Sequence, residues 1–350
     1  MQPFHCDACD QLLFFDNSTC LYCGSPLGYD PTALRLRTLR TDAGDLVAIE
    51  PGDGCERWRR CANVSVARCN WLVPTTDPGI LCRSCRLTTV RPNDGEADAL
   101  IAFADAEAAK RRLLHQLLSL GLPVVSQLDD AKRGVAFELL SSRGQNVITG
   151  HEDGRITLDL SESDGAHREF VRQQLGEAYR TVLGHLRHEI GHYYWPQLVV
   201  DVGRLTEFRD LFGDERVSYE EAKAGHYGAD DGDDASWADG HVSRYATMHP
   251  WEDWAETFAH YLHIDDGVDT ARTFGVTVGQ PSSSAGRAAT PGSSALAVAS
   301  IVADWLGLTV ALNGLSRSIG EGDLYPFVLS QRVIEKLDFV HRCLPRRNRG

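Results

Sequence analysis

Several things are scarce in this chain, and each scarcity narrows what it can be. Positive charge is short: 35 Lys and Arg stand against 49 Asp and Glu, a formal charge of −14. That balance argues against bulk attraction to nucleic acid or to an anionic membrane. Long apolar runs are missing. The longest, residues 296–305, is interrupted by Ser300 and Asp304 and falls short of the roughly 18 residues that span a bilayer, so it reads as a core helix. The opening Met1-Gln2-Pro3-Phe4-His5-Cys6 has neither the basic nor the apolar region of a secretory leader. The expectation is a cytoplasmic protein without a membrane partner. Cysteine is scarce over most of the length: nine of ten precede Val90, and Cys343 stands alone near the end. With nothing to mark the chain for export, clustered CxxC pairs point to metal rather than to disulfides.

The cysteines that are present fall into two groups. Cys6-Asp7-Ala8-Cys9 and Cys20-Leu21-Tyr22-Cys23 are two CxxC knuckles joined by a short loop. Two such turns can bring four thiolates into a tetrahedron, a structural zinc site with no open position; four thiolates also suit a rubredoxin-like iron site. Cys61, Cys69, Cys82 and Cys85 form a second candidate site, closed again by a CxxC. Cys55 is left over, and Cys343 reads as a small packing residue. Trp58, Arg59, Arg68 and Trp71 lie among these cysteines, so a nucleic-acid or protein surface on the Cys-rich segment is conceivable, although its charge is close to neutral.

Beyond Arg91 the patterns change. Residues 96–120 are charged and rich in Ala and Leu with apolar positions recurring at three and four, an amphipathic helix ended by Gly121 and Pro123. Residues 135–140 and 147–160 read as strands, the second with Gly150 and Gly154 as turn points and alternation at Ile156, Leu158 and Leu160. A single long helix is expected over 169–194. Residues 229–240 form an acidic, glycine-rich loop without EF-hand spacing. A second strong helix starts at Pro250, residues 279–294 read as a flexible linker, and residues 295–344 as two or three helices. No internal repeat is present beyond the recurrence of CxxC.

The chemistry is concentrated in His188-Glu189-Ile190-Gly191-His192, an HExxH motif inside the helix expected over 169–194. Residues four apart stand one above the other on a helix, so both imidazoles can reach one zinc. Glu189 leaves the helix at an angle that places its carboxylate beside the metal rather than on it, where it can take a proton from a water that zinc has acidified. Val182, Leu183, Leu186 and Ile190 make this a core helix, and two histidines and a glutamate on a core helix are costly without partners. A third ligand is needed. Trp195 and Leu198 stand where the metzincin continuation demands Gly and His, which excludes that subclass. On the helix from Pro250, Glu252 and Glu256 sit four apart, away from the buried stripe of Trp254, Ala255, Phe258 and Leu262. They suit a metal ligand followed by an acceptor that fixes a ligating histidine. His241, His249 and His260 are the alternative third donors.

An HExxH helix followed by a glutamate-bearing helix resembles the gluzincin metallopeptidases. Residues 245–258 are similar to the matching segment of anthrax lethal factor and its relatives, where a glutamate, two aromatics, Ala and Glu supply the third ligand. Glu252-Asp253-Trp254-Ala255-Glu256 fits that pattern, except that Asp253 replaces the first aromatic. The resemblance implies Glu252 as ligand, Glu256 behind a histidine, and Tyr245, seven residues before the ligand, as the stabiliser of an oxyanion. The separation of His192 from Glu252 exceeds the short thermolysin-like spacing. Over nearly its whole length the chain also resembles a bacterial family of zinc-binding metallopeptidases with an N-terminal zinc ribbon. CANVSVARCNWLVP, AKRRLLHQLLSLGLPV, YRTVLGHLRHEIGHYYW, HPWEDWAETFAHYLHI and DLYPFVLSQRVIEKLDFVH carry that likeness.

The expected fold is therefore α+β. A zinc-ribbon module over 1–91, with one or two four-cysteine sites, precedes a zincin-like metallopeptidase domain over 92–350, mostly helical with a small sheet. The expected activity is zinc-dependent hydrolysis of a peptide or protein substrate with Glu189 as general base. The competing reading is a zinc-ribbon adaptor, conceivably associated with nucleic acid, whose zincin domain has little or no turnover. Metal analysis of the purified chain should find three zinc ions, two held tightly by thiolates and one removable by mild chelation. A count of one would eliminate the double ribbon.

Overall fold

The computed structural model describes residues 2–49, 57–142, 147, 149–174, 180–228, 236–278 and 297–345. Cys55, the linker at 279–294 and the first part of the acidic loop lie outside the described residues. The chain folds as two compact units, Met1–Val171 and Arg172–Asn348.

The first unit opens with a small hairpin, β1 (Phe4–His5) and β2 (Leu12–Leu13). An antiparallel meander follows, β3 (Leu27–Asp30), β4 (Arg35–Asp42), β5 (Asp45–Ala48), β6 (Arg57–Arg60) and β7 (Leu72–Pro74), with sheet order equal to chain order. Leu39, Trp58 and Leu72 form a core cluster on this sheet, with Leu46 and Ala48 packed against it. Strand β8 (Thr88–Val90) leads to helix α1 (Ala97–Ser119). Strands β9 (Ala136–Leu140), β10 (Gly150–Glu152) and β11 (Arg155–Asp159) then complete a second sheet of order β10-β11-β9-β8, in which β9 runs parallel to both neighbours. The stretch 147–160 holds the β10–β11 hairpin: the turn point expected at Gly154 is there, with Asp153 and Gly154 both at left-handed backbone angles, whereas Gly150, the other expected turn point, lies in β10.

Helix α1 buries more than its apolar stripe. Phe103, Leu113, Leu114 and Leu117 are buried as the spacing predicts, but so are Glu107, Lys110 and Arg111. Buried charges survive only when paired. Lys110 bridges to Glu107 at 2.5 Å, and the Thr88 hydroxyl donates to the same carboxylate at 2.5 Å. On the next turn, His115 meets the Tyr29 hydroxyl at 2.5 Å beneath Phe15. These bonds tie α1 and both sheets into one unit, so the sheet expected beside the catalytic helices groups with the Cys-rich segment.

Helix α2 (Gly165–Gln174) spans the division between the units. The second unit then consists, among the described residues, of helices: α3 (Val182–Trp195), α4 (Leu205–Phe212), α5 (Tyr219–Gly228), α6 (Pro250–Thr273), α7 (Ala299–Ser318) and α8 (Gln331–Cys343), with short 3-10 and π turns between them. The helix expected over 169–194 is two helices. Thr181 has an extended backbone, and its side chain accepts the Gly184 N–H at 2.9 Å, an N-cap that starts α3 afresh. The helix from Pro250 is capped in the same manner by His249, whose Nδ1 accepts the Trp251 N–H at 3.1 Å.

Helix α7 corrects the reading of its segment. The helix continues through Asp304 to Ser318, and Ala299–Ser318 is long and apolar enough to cross a membrane by length and composition, with 33 % of its most apolar window buried. Its buried residues include Ile301, Val302, Trp305 and Leu308, whereas Val310 and Leu315 are exposed.

The centre of the second unit is the packing of α3 on α6. Trp254, Phe258, Phe208, Phe339 and Tyr194 are fully buried there, and the Trp254 indole N–H donates to the Gly191 carbonyl at 2.8 Å. A β-carbon on Gly191 would stand 3.1 Å from the Ala255 Cα and 3.3 Å from both the Ala255 carbonyl oxygen and the Phe258 Cβ. The fourth residue of the HExxH motif is thus where the two backbones come closest. Gly191→Leu should force α3 and α6 apart, lowering the stability of the second unit by about 1–3 kcal/mol as overpacked cores do and loosening a metal held between them. Denaturant melts and retention of the chelatable zinc report both effects; parental values in each would show that the close approach is not needed.

Candidate metal centre

The first four cysteines converge at the end of the β1–β2 hairpin and the turn before β3. Cys6 and Cys23 have sulfurs 3.6 Å apart, as do Cys9 and Cys20. Cys61, Cys69, Cys82 and Cys85 converge likewise, with Cys69 and Cys82 sulfurs at 3.6 Å. A disulfide would need about 2.05 Å, and all nine described cysteines are free. Zinc–sulfur bonds of about 2.3 Å in a tetrahedron separate the sulfurs by about 3.8 Å, close to what is seen. The Cys82 and Cys85 amides donate to Cys61 and Cys82 sulfurs, each at 3.4 Å, as expected of a knuckle folded around thiolates. The second cluster is wholly buried, whereas Cys23 of the first is exposed. Cys343 belongs to neither. It receives the Arg204 guanidinium at 3.4 Å, and burial pushes its thiol up to about 11.

The third group lies between α3 and α6. His188 and His192, one turn apart on α3, present their Nε2 atoms 3.2 Å from each other. Glu252, at the first turn of α6, brings Oε2 to 3.0 Å from His188 Nε2 and 3.4 Å from His192 Nε2. Zinc bonds of about 2.0–2.1 Å to nitrogen and oxygen set tetrahedral donors about 3.3 Å apart, so these three atoms already have the required spacing. The proton inventory points the same way. Glu256 Oε1 lies 2.7 Å from His188 Nδ1, which assigns the imidazole proton to that side. The lone pair on Nε2 then faces a lone pair of Glu252, and a cation between them resolves the clash.

The electrostatics express the same demand. Burial works against a charged His188, yet Glu252 and Glu256 raise it well above the ordinary imidazole range. Burial pushes Glu252 up, but His188 and His192 outweigh it and hold the carboxyl well below its usual range. Glu256 is held down to about 2 against the same burial, chiefly by His188. Glu189 is buried beside them, and burial lifts its carboxyl.

The surroundings explain why these side chains stay in place. The Ser243 hydroxyl donates to Glu256 Oε2 at 2.6 Å, so both oxygens of that carboxylate are engaged. Tyr245 lies in a short 3-10 turn packed on α6, its ring 5.8 Å from the His188 ring between centroids. Tyr219, at the start of α5, donates its hydroxyl to Glu252 Oε1 at 2.9 Å; burial raises its phenol. The three alternative donors are engaged elsewhere. His249 caps α6 and its Nε2 meets the Val217 carbonyl at 3.2 Å. His241 lies 3.7 Å from Asp253, and His260 pairs with the Tyr325 hydroxyl at 2.8 Å. Burial lowers both rings to about 4.

Sequence reading missed Tyr219, Ser243 and Lys336. The Lys336 ammonium, buried on α8, bridges to Asp253 at 2.5 Å and donates to the Gly240 carbonyl at 2.6 Å. Asp253, the departure from the gluzincin pattern, is thereby the anchor of α8 and of the loop leading to Ser243. No spacing in the sequence marks these residues, because each reaches the site from a different segment.

The comparisons with known proteins divide the chain ahead of α1 rather than between the two compact units. A model of the family described as "Putative zinc-binding metallo-peptidase" matches residues 99–343. The chain belongs to this family. Within the metallopeptidase family match lie all three donors between α3 and α6, and a zinc-ribbon domain model matches residues 3–96, which hold both cysteine clusters. Proteins similar to the chain include "Uncharacterized protein Rv2568c" of Mycobacterium tuberculosis and "Uncharacterized protein Mb2598c" of Mycobacterium bovis. Each is 47 % identical over 342 residues, covering 97 % of this chain and 94 % of the relative. No solved structure gives a significant match.

Proposed function

We propose that the chain is a zinc-dependent peptidase with a zincin-like, gluzincin-type centre, in which His188, His192 and Glu252 hold the metal. The single observation that carries this reading is the convergence of two Nε2 atoms and one carboxylate oxygen, 3.0 to 3.4 Å apart, with the far side of His188 already committed to Glu256. Zinc at such a site supplies Lewis acidity that acidifies water and polarises a carbonyl. Glu189, adjacent to His188 and itself no member of the donor cluster, takes the proton of the attacking water and returns it to the departing amine. Glu256 keeps the His188 ring in one orientation and one tautomer. The Tyr245 hydroxyl donates to the oxyanion that forms on the scissile carbonyl. Three protein donors rather than four leave room for the chemistry, which distinguishes this site from the closed thiolate clusters.

The ribbon unit serves to recruit a protein substrate rather than nucleic acid. Four arginines among its cysteines and strands are engaged within the unit: Arg57 with Asp42, Arg68 with Asp105, Arg59 with the Gly79 carbonyl and Arg60 with that of Leu27. Leu21 and Tyr22, at the tip of the second knuckle, are instead 93 % and 78 % exposed.

Glu189→Gln should retain the chelatable zinc and lose hydrolysis of denatured casein by about 10²–10⁴-fold, the usual contribution of a general base. Loss of that metal from a folded variant would make Glu189 a ligand and overturn its role. Glu252→Ala should abolish tight binding of the chelatable zinc, whereas Glu256→Ala should weaken it by about 10–100-fold. Zinc titration after mild stripping separates the cases, and parental affinity in Glu252→Ala would remove the gluzincin assignment.

A further inference from the structure

We infer that Tyr219 is a positioning residue of the metal centre, holding Glu252 so that only one of its oxygens faces the two histidines. The inference rests on the proposed role of Glu252 as ligand. A carboxylate can offer a metal one oxygen or two, and the choice decides how many positions remain for water and substrate. Here Oε2 points at both Nε2 atoms, while Oε1 accepts the Tyr219 hydroxyl at 2.9 Å. The Glu252 side chain is only 4 % exposed, so bulk water cannot take over that bond. Without the phenol, Oε1 would be a buried acceptor lacking a donor, or would turn toward the metal.

The placement of Tyr219 is itself over-determined. Its ring packs edge-on against His249 with centroids 5.3 Å apart. His249 joins Nδ1 to the Trp251 amide and Nε2 to the Val217 carbonyl, two residues before Tyr219. One imidazole therefore caps the helix that carries Glu252 and pins the segment that carries Tyr219. One residue thus fixes the start of both α5 and α6, and with them the phenol and the carboxylate that it meets. A tyrosine that merely filled space would need none of these polar links.

The test uses the full-length protein with its thiolate-bound zinc left in place and the remaining metal stripped by a mild chelator. Tyr219→Phe keeps the ring and removes only the hydroxyl. Its affinity for added zinc, measured against a chromophoric competitor, should fall roughly 10–100-fold, and the visible spectrum of its cobalt form should change because the carboxylate geometry changes. The far-ultraviolet circular dichroism of the stripped variant should match the parent, so that the lost affinity is not unfolding. Parental zinc affinity in Tyr219→Phe, alongside collapse in Glu252→Ala, overturns this inference alone. Parental affinity in Glu252→Ala overturns instead the ligand assignment beneath it.

Discussion

Everything at the His-Glu centre depends on how closely α3 can approach α6. The missing side chain of Gly191 lets the two helices touch backbone to backbone at Ala255, and the Trp254 indole locks that contact through the Gly191 carbonyl. Even a single added β-carbon would stand 3.1 to 3.3 Å from Ala255 and Phe258, so a longer side chain there would have to push the helices apart. The separation of His188 and His192 from Glu252 is thus set in the apolar core, by Trp254, Phe258 and their neighbours. Interiors packed to crystal density transmit such constraints with little give.

Two different solutions to burying metal-seeking groups coexist in the chain. The thiolate clusters gather four equivalent donors on short knuckles whose own amides bond the sulfurs, so the local chain supplies nearly all that is needed. At the second cluster, Glu107 lies 3.8 Å from Cys85 and is neutralised by Lys110, so the surrounding charge is balanced within α1. The His-Glu centre has only three converging donors and draws its support from afar. Tyr219 comes from the start of α5, Ser243 from the loop before α6, and Lys336 from α8. Short-range geometry makes a rigid, closed site; long-range support makes one whose outer partners can differ without changing the motif.

Much of this was legible in the chain itself. Four-residue spacing on a helix stacks two side chains whatever surrounds them, which is why His188 with His192 and Glu252 with Glu256 could be paired from the sequence. CxxC turns are equally local, so both cysteine groups could be assembled from spacing. Amphipathic periodicity located α1 to within a residue at each end, and Pro250 marked the start of α6 but not its end at Thr273. Local signals failed where a cap competed with a pattern: Thr181 interrupts an apolar periodicity that runs from 169 to 194.

Which side chains share a helix face or a turn was thus fixed by the sequence, since periodicity is local, but which donor from the second helix segment joins His188 and His192 was not. What surrounds those side chains was decided only by tertiary structure. The buried charges of α1 look like a solvated face until Thr88 and the second cysteine cluster are placed beside them. Asp253 looks like a lapse from an aromatic pattern until Lys336, on a helix far along the chain, arrives to neutralise it. Tyr219 looks like any helix-start tyrosine until its hydroxyl is seen on the second oxygen of Glu252. A hydrogen bond or ion pair between distant segments leaves no spacing in either one, because its geometry exists only after the intervening chain has packed.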